Sequence, residues 1–366
     1  MAYQLMVCDL MTDTRLGVLP IGGVTWDDYI GKTGSLSGTI PVPDSATARR
    51  IRETALPGRS MLHLYEEDGQ LAWSGVLWTR TRQRDARGNY TCAIQAGGLE
   101  SYFRAHRLLL ADLVAAGADQ FAIVRQLITY AQAQAGGNLG VEMDPAQMSG
   151  VLRDRQYSRH DLPWIGGLVD QLASTQNGFE WRIQVWADSA GVRHRTLRLG
   201  YPKLTVGAND GSADLVLSSP GPVGAYALPE DATTMANAWQ SRGASTGTDM
   251  GSEQVPLMSQ VLTAPGDWAA GWPRLDGTSD YSTVETQSVL DEHAAADLAR
   301  AARPVAVPSV TYTGNQRPPL GSYVRLRLND TWHYDVLDAR YRVIGLKVQP
   351  AERPRARTTD LYLEAA

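Results

Sequence analysis

Cysteine is nearly absent, with only Cys8 and Cys92 among 366 residues. Two thiols cannot staple a chain of this length, so a disulfide scaffold is excluded and the fold must rest on buried side chains. Neither cysteine has a CxxC partner, and both are expected as core residues of a protein that folds and stays in a reducing compartment. Lysine is almost as scarce, present only at Lys32, Lys203 and Lys347. The other cations are arginines. GC-rich coding explains that bias most simply, while planar guanidinium groups would also suit packed subunit contacts. No apolar run approaches the ~20 residues of a membrane span, and no basic segment precedes an apolar one at the N-terminus, so a soluble protein with no stable membrane insertion is expected. Nor is there a basic excess. The net charge is -5, which disfavours a nucleic-acid binder even though Arg80, Arg82 and Arg84 alternate, as do Arg193 and Arg195, Arg325 and Arg327, and Arg340 and Arg342.

Recognisable chemistry is missing too. Gly31-Lys32-Thr33 would end a phosphate-binding loop only if a glycine stood at position 26, which holds Trp26. Gly34-Ser35-Leu36-Ser37-Gly38 has the outline of a nucleophile elbow with Leu36 where the nucleophile belongs. The six histidines show no i,i+4 pair that would put two imidazoles on one helix face. No catalytic residue, metal or cofactor is expected.

What the sequence does carry is strand periodicity, with 43% hydrophobic residues and 35 glycines. At ~100–200 residues per domain the length predicts two or three domains. Alternation runs through 3–8, 35–40, 61–65, 71–78 and 90–95, with Asp68-Gly69 and Arg87-Gly88-Asn89 as turns, so residues 1–100 read as a β-meander. From about 100 the period changes to 3.6. Phe121, Val124, Leu127, Ile128 and Ala131 predict one helix, ended by Gly136-Gly137. Ile165, Leu168, Val169 and Leu172 predict a second, capped by Asp161. Strands return at 179–185 and 192–199. Residues 241–285 are rich in Gly, Ser, Thr, Asp and Pro and predict a long functional or mobile loop, followed by a helix at 286–302. The tail is β again, with strands expected at 323–328, 332–337, 341–348 and 360–363. Trp73, Trp181 and Trp332 are expected in the core, whereas Trp268 and Trp272 read as an exposed aromatic pair. Val76-Leu77-Trp78-Thr79-Arg80-Thr81-Arg82 is echoed by Val336-Leu337-Asp338-Ala339-Arg340-Tyr341-Arg342. Both follow a strand, a tight turn and an aromatic strand, which suggests duplication.

The order of these segments resembles a known family. The run from Tyr90 through Cys92 and Ile94 to Gly97-Gly98-Leu99-Glu100-Ser101-Tyr102, then Gly178-Phe179-Glu180-Trp181-Arg182-Ile183, Leu320-Gly321-Ser322-Tyr323-Val324-Arg325-Leu326 and Arg342-Val343-Ile344-Gly345-Leu346 resembles minor tail proteins that form the tail-tip or baseplate hub of long-tailed bacteriophages, most like those of actinobacterial phages. The resemblance implies a mainly β fold of two tail-tube-like β-barrels with α/β insertions. The first barrel would occupy 1–100, an α/β insertion 101–191, the second barrel 192–240 with 305–366, and a loop-rich insertion with one helix 241–304. It implies a homotrimer at the virion tail tip, assembled in the host cytoplasm. Its partners would be a tail-tube or distal-tail ring protein, a tape-measure protein and other tail-tip or fibre proteins, with DNA only in transit. Two similar barrels in each of three chains would present about six equivalent faces to a six-fold tube. The expected interface residues are Leu71, Trp73, Trp78, Arg80, Arg82, Arg340 and Arg342, so that Arg80→Glu would disturb assembly rather than DNA passage. The other reading is a carbohydrate-binding module that uses Trp268 and Trp272.

Overall fold

The computed structural model describes residues 3–207, 214–246, 255–304, 307–314, 316–351 and 356–365, the side chain of 246 excepted. The alternation of the first hundred residues becomes β1 (Gln4–Asp9), β2 (Arg15–Pro20), β3 (Gly22–Tyr29), β4 (Ser35–Pro41), β5 (Ser60–Tyr65), β6 (Leu71–Arg84) and β7 (Tyr90–Gly97), with α1 (Ser45–Thr54) between β4 and β5. Asp44 caps α1 by accepting the Thr47 N–H at 2.7 Å. The turn after β5 needs a left-handed residue, and Gly69 supplies it at φ +81. Inward-facing Leu5, Val7, Leu36, Ile40, Leu62, Leu64, Leu77 and Ile94 are at most 1% exposed, and each such side chain contributes roughly 1.5–3 kcal/mol. Gly75 lets the Trp73 ring lie against the sheet, because a Cβ there would stand 2.3 Å from both the indole and the Gly97 carbonyl oxygen.

The next segment holds α2 (Glu100–Ala105), β8 (Leu113–Asp119), α3 (Gln120–Ala133), β9 (Val141–Glu142), β10 (Leu152–Tyr157), α4 (Ile165–Ala173), β11 (Glu180–Ala187) and β12 (Arg193–Gly200). α3 buries the five residues its spacing predicts, and Asp119 caps it through the Phe121 N–H at 2.9 Å. α4 starts later than Asp161 suggests, since residues Arg159–Asp161 form a single 3-10 turn and Leu162 takes φ +46. β8 pairs with β10, and β9, β12 and β11 form a separate three-stranded sheet. Residues 193–200 therefore belong to the insertion rather than to the last β region.

β13 (Leu215–Ser219) and β14 (Val223–Ala227) precede the stretch expected to be a loop. That stretch is instead a four-stranded sheet of β15 (Ala238–Thr246), β16 (Val255–Met258), β17 (Leu262–Thr263) and β18 (Asp276–Asp280), with α5 (Pro265–Ala269) and α6 (Gln287–Ala301). Residues 247–254 lie outside the described residues. The polar composition hides strands because hydroxyls face inward and bond one another. The Ser241 N–H donates to Ser259 Oγ at 2.8 Å, Ser241 and Ser279 share a bond at 2.7 Å, and Ser279 and Tyr281 donate to Asp297. Residues Asp170–Phe179 and Ala227–Pro308 form one compact unit, and Met1–Val169, Glu180–Tyr226 and Ser309–Ala366 form the other.

The chain ends with β19 (Ser309–Tyr312), β20 (Tyr323–Leu328), β21 (Leu337–Gln349) and β22 (Thr358–Ala365). Trp332, expected in a core strand, lies in the turn before β21 and is 85% exposed. All the strands outside the insertion and the smaller unit join one mainly antiparallel sheet, ordered β14-β19-β22-β21-β3-β4-β7-β6-β5-β1-β2, with β20 also on β21 and β13 on β20.

This order contains the same pattern twice. β3, β4, β5, β6 and β7 stand side by side as first, second, fifth, fourth and third, and so do β14, β19, β20, β21 and β22. In each repeat the long fourth strand meets its predecessor along its N-terminal half and its successor along the rest. β6 pairs with β5 up to Val76 and with β7 from Val76 onward. β21 pairs with β20 up to Arg342 and with β22 from Tyr341 onward. The crossover thus aligns Val76 with Tyr341 or Arg342, about five residues from the alignment the sequence echo suggests, and Val336 lies outside the strand at φ +61. Among the described residues the sheet has no closing pair. β2 packs back against β4 without a ladder to it, so the first repeat is rolled but unclosed.

Candidate assembly surface

The two repeats are joined where β3 pairs with the C-terminal half of β21, Gly345–Val348 opposite Trp26–Tyr29. Counting from the crossover, the matching segment of the first repeat is Arg80–Gln83, and among the described residues no strand pairs with that edge of β6. The end strand of the second repeat, β14, likewise has β19 on one side and no strand on the other. The chain therefore uses one copy of a junction and leaves both halves of a second copy unpaired, an arrangement that isolated proteins usually protect.

The expected interface residues divide around this edge. Arg82 is exposed and lies in the stretch of β6 whose outer edge is unpaired among the described residues. Arg80 is half-buried and donates to the Ile51 and Ala55 carbonyls at 2.9 and 2.7 Å, which satisfies the C-terminal end of α1. Trp73 is 5% exposed and donates to the Asp27 carbonyl. Leu71 is half-buried, as is Trp78, which donates to Ser101 Oγ at 2.8 Å and stacks on His106. Arg340 is exposed but held bidentate by Asp214 at 2.6 and 2.9 Å, over the Tyr323 ring. Arg342 is not on a surface. It is 1% exposed and bonds Glu180, Glu364 and the Leu204 carbonyl. Its two carboxylate partners sit on β11 and β22, so it bolts the insertion to the second repeat. A glutamate 162 residues away gives the local sequence no sign of this burial.

The aromatic pair of the smaller unit is likewise altered. Trp268 is half-buried with its indole N–H given to Asn237 Oδ1 at 3.0 Å, and Trp272 is 43% exposed. One free indole face makes a weak sugar platform.

One cluster was invisible in the sequence. His63, fully buried, bonds Ser74 Oγ through Nδ1 at 2.8 Å and Asp13 through Nε2 at 2.9 Å. Asp13 also accepts from Arg193 at 2.6 Å and Arg195 at 3.2 Å, and Arg195 reaches the Leu10 and Leu139 carbonyls. Burial pulls the Asp13 carboxyl up, but His63, Arg195 and Arg193 outweigh it and hold it at about 2. Burial pushes the His63 imidazole below its ordinary value against the pull of Asp13, and the Cys8 thiol nearby up to about 11. Cys8, Asp13 and His63 bring donor atoms within 4.8 Å of one another. Two guanidinium groups already supply the positive charge there, which opposes a second cation. The imidazole has no exposed face to offer a substrate, so the serine, histidine and aspartate act as a clasp between β1–β2, β5–β6 and β12. An open cleft of about 1740 Å³ is lined by Trp26, Asp28, Arg182, Trp186 and Arg198 among others, and by none of these cluster residues. Asp28 there is ion-paired with Arg182 at 2.5 Å.

No family model matches the chain, and no curated protein matches it. Solved structures do. A tail protein from Neisseria meningitidis MC58 aligns over 99% of this chain and 96% of its own at 14% identity, with a TM-score of 0.59. The 43 kDa tail protein of prophage MuSo2 from Shewanella oneidensis aligns over 99% and 98% at 9% identity, with a TM-score of 0.60. A chain of the half-lidded Francisella PdpA–VgrG complex aligns over all of this chain and 58% of its own at 8% identity, with a TM-score of 0.56. From end to end, this chain has the fold of phage tail proteins.

Proposed function

We propose that the chain is a structural protein of a phage tail tip, a hub that closes the distal end of the tail tube and opens for DNA ejection. Three copies form its ring. The observation that carries this reading is the doubled strand order with one junction made and one left open. Pairing the β14 edge of one chain with Arg80–Gln83 of the next would repeat the β3–β21 junction between chains. Three chains would then close a ring of six similar lobes, each a tube-like barrel completed by assembly, and no edge strand would stay exposed. Such a ring would match a six-fold tube on one face while keeping three-fold symmetry for the tip. A tail-tube or distal-tail ring protein and a tape-measure protein are its natural neighbours. No chemistry is needed for this role, and the sealed His63 cluster fits a structural part. Among the expected interface residues, Arg82 is the exposed one that lies on the unpaired stretch of β6 and has no hydrogen bond or ion pair among the described residues.

Light scattering of the purified chain tests the reading. The expected mass is three times that of the chain, falling to the single-chain mass in Arg82→Glu with unchanged circular dichroism. A wild-type monomer, or an Arg82→Glu protein that stays trimeric, overturns it.

A further inference from the structure

The turn between β20 and β21 carries the two most exposed large hydrophobic side chains among the described residues, Trp332 at 85% and Tyr334 at 86%. Single exposed aromatics are common, but here two stand two residues apart on one turn. The turn is also built to hold them out. Asp330 Oδ1 accepts the N–H groups of Trp332 and His333 at 2.9 and 3.0 Å, and its Oδ2 accepts the Tyr226 hydroxyl at 2.5 Å. The His333 ring lies edge-on to Tyr226, and the Val336 N–H closes the turn on the His333 carbonyl. A preformed tip loses little freedom on docking, which raises its contribution to binding.

The sheet fixes where this tip lies. β21 is antiparallel to β3, and β3 reaches β6 through β4 and β7 by antiparallel pairs, so β6 and β21 run the same way. The β20–β21 turn and its counterpart, the β5–β6 turn, therefore share one rim of the sheet. Their chemistry differs. The first repeat offers exposed Glu67 and Asp68, while the second offers Trp332 and Tyr334 flanked by Asp335.

We propose that the Trp332–Tyr334 tip is a docking knob for a neighbouring tail protein of three-fold symmetry, seated in an apolar socket rimmed by Lys or Arg. The inference rests on the trimeric ring proposed above. In that ring three aromatic tips alternate with three acidic ones, so this rim reads three-fold although the strands behind it repeat six-fold. The acidic residues call for a basic socket rim. They also disfavour an anionic bilayer as the occupant.

The test is photo-crosslinking in assembled tails, with p-benzoylphenylalanine in place of Trp332 and, as a control, of the exposed Val114 on β8. The expected result is one adduct from position 332 to one other tail protein, within a peptide that holds apolar residues and Lys or Arg, and none from position 114. The W332A/Y334A double variant is expected to remain a trimer by light scattering while its tails lose that neighbour ~10-fold or more, the scale of a paired aromatic hot spot. Adducts only to other copies of this chain, adducts only to lipid, or double-variant tails of wild-type composition overturn the docking proposal. A double variant and a wild type that are both monomeric fail the ring instead.

Discussion

Replacing Arg342 with Met removes a guanidinium that is 1% exposed and keeps most of its apolar stem. Glu180 loses two bonds of 2.5 and 2.6 Å, Glu364 loses two of 2.6 and 3.0 Å, and the Leu204 carbonyl loses one of 2.9 Å. Breaking a fully buried pair from one side costs about 3–5 kcal/mol. Here the carboxylates are 24% and 37% exposed and can recover part of their hydration, and Lys203 still reaches Glu364 at 3.0 Å. The expected loss therefore falls at or just below the bottom of that range, about 2–3 kcal/mol. Urea unfolding followed by amide exchange in β21 and β22 reads it, and the two methods should agree because the loss lies where the insertion meets the second repeat. Adding Glu180→Gln should return part of the loss by removing one stranded charge. A single variant within about 0.5 kcal/mol of wild type, the ordinary range for surface substitutions, would refute the bolt.

Three further outcomes follow from the same geometry. Arg80→Ala should cost about 1–2 kcal/mol by leaving the Ile51 and Ala55 carbonyls without their charged donor, while the protein that remains folded should keep the trimeric mass. An Arg80→Ala protein as stable as wild type would contradict the capping role. Because the folded His63 titrates below its ordinary value, the unfolded chain takes up a proton first as pH falls below about 6.5. Stability is fully present above that pH and declines below it, by up to ~1.4 kcal/mol per pH unit, and His63→Gln should flatten this slope in urea midpoints measured from pH 7 to 5. Gly75→Ala should give little soluble protein, since its Cβ would stand 2.3 Å from the Gly97 carbonyl oxygen, and normal yield would mean that the strands can part.

The first hundred residues were legible because local signals agree there. Asp68-Gly69 sits between two alternating runs, and both the turn and the strands follow from it. α3 was legible because five apolar residues share one face. Residues 241–285 were not, because serine hydroxyls buried against one another leave no apolar alternation to read. Trp332 is not legible as a turn residue, since a tryptophan next to alternating residues fits a strand as well as a turn, and the Asp330 side chain that holds the turn acts by accepting backbone N–H groups. Arg342 and the His63 cluster depend on partners more than a hundred residues away, as in Arg193 to Asp13, which periodicity cannot reveal. The duplication was visible only in outline. The heptapeptide echo lies about five residues from the structural match, whereas strand order repeats without a shift.

Cryo-electron microscopy of the purified ring tests the central claim most directly. The account predicts three chains and six similar lobes, with a backbone ladder between Arg80–Gln83 of one chain and β14 of the next. A ring whose chains meet through other strands, or particles of a single chain with both edges still bare, would contradict it.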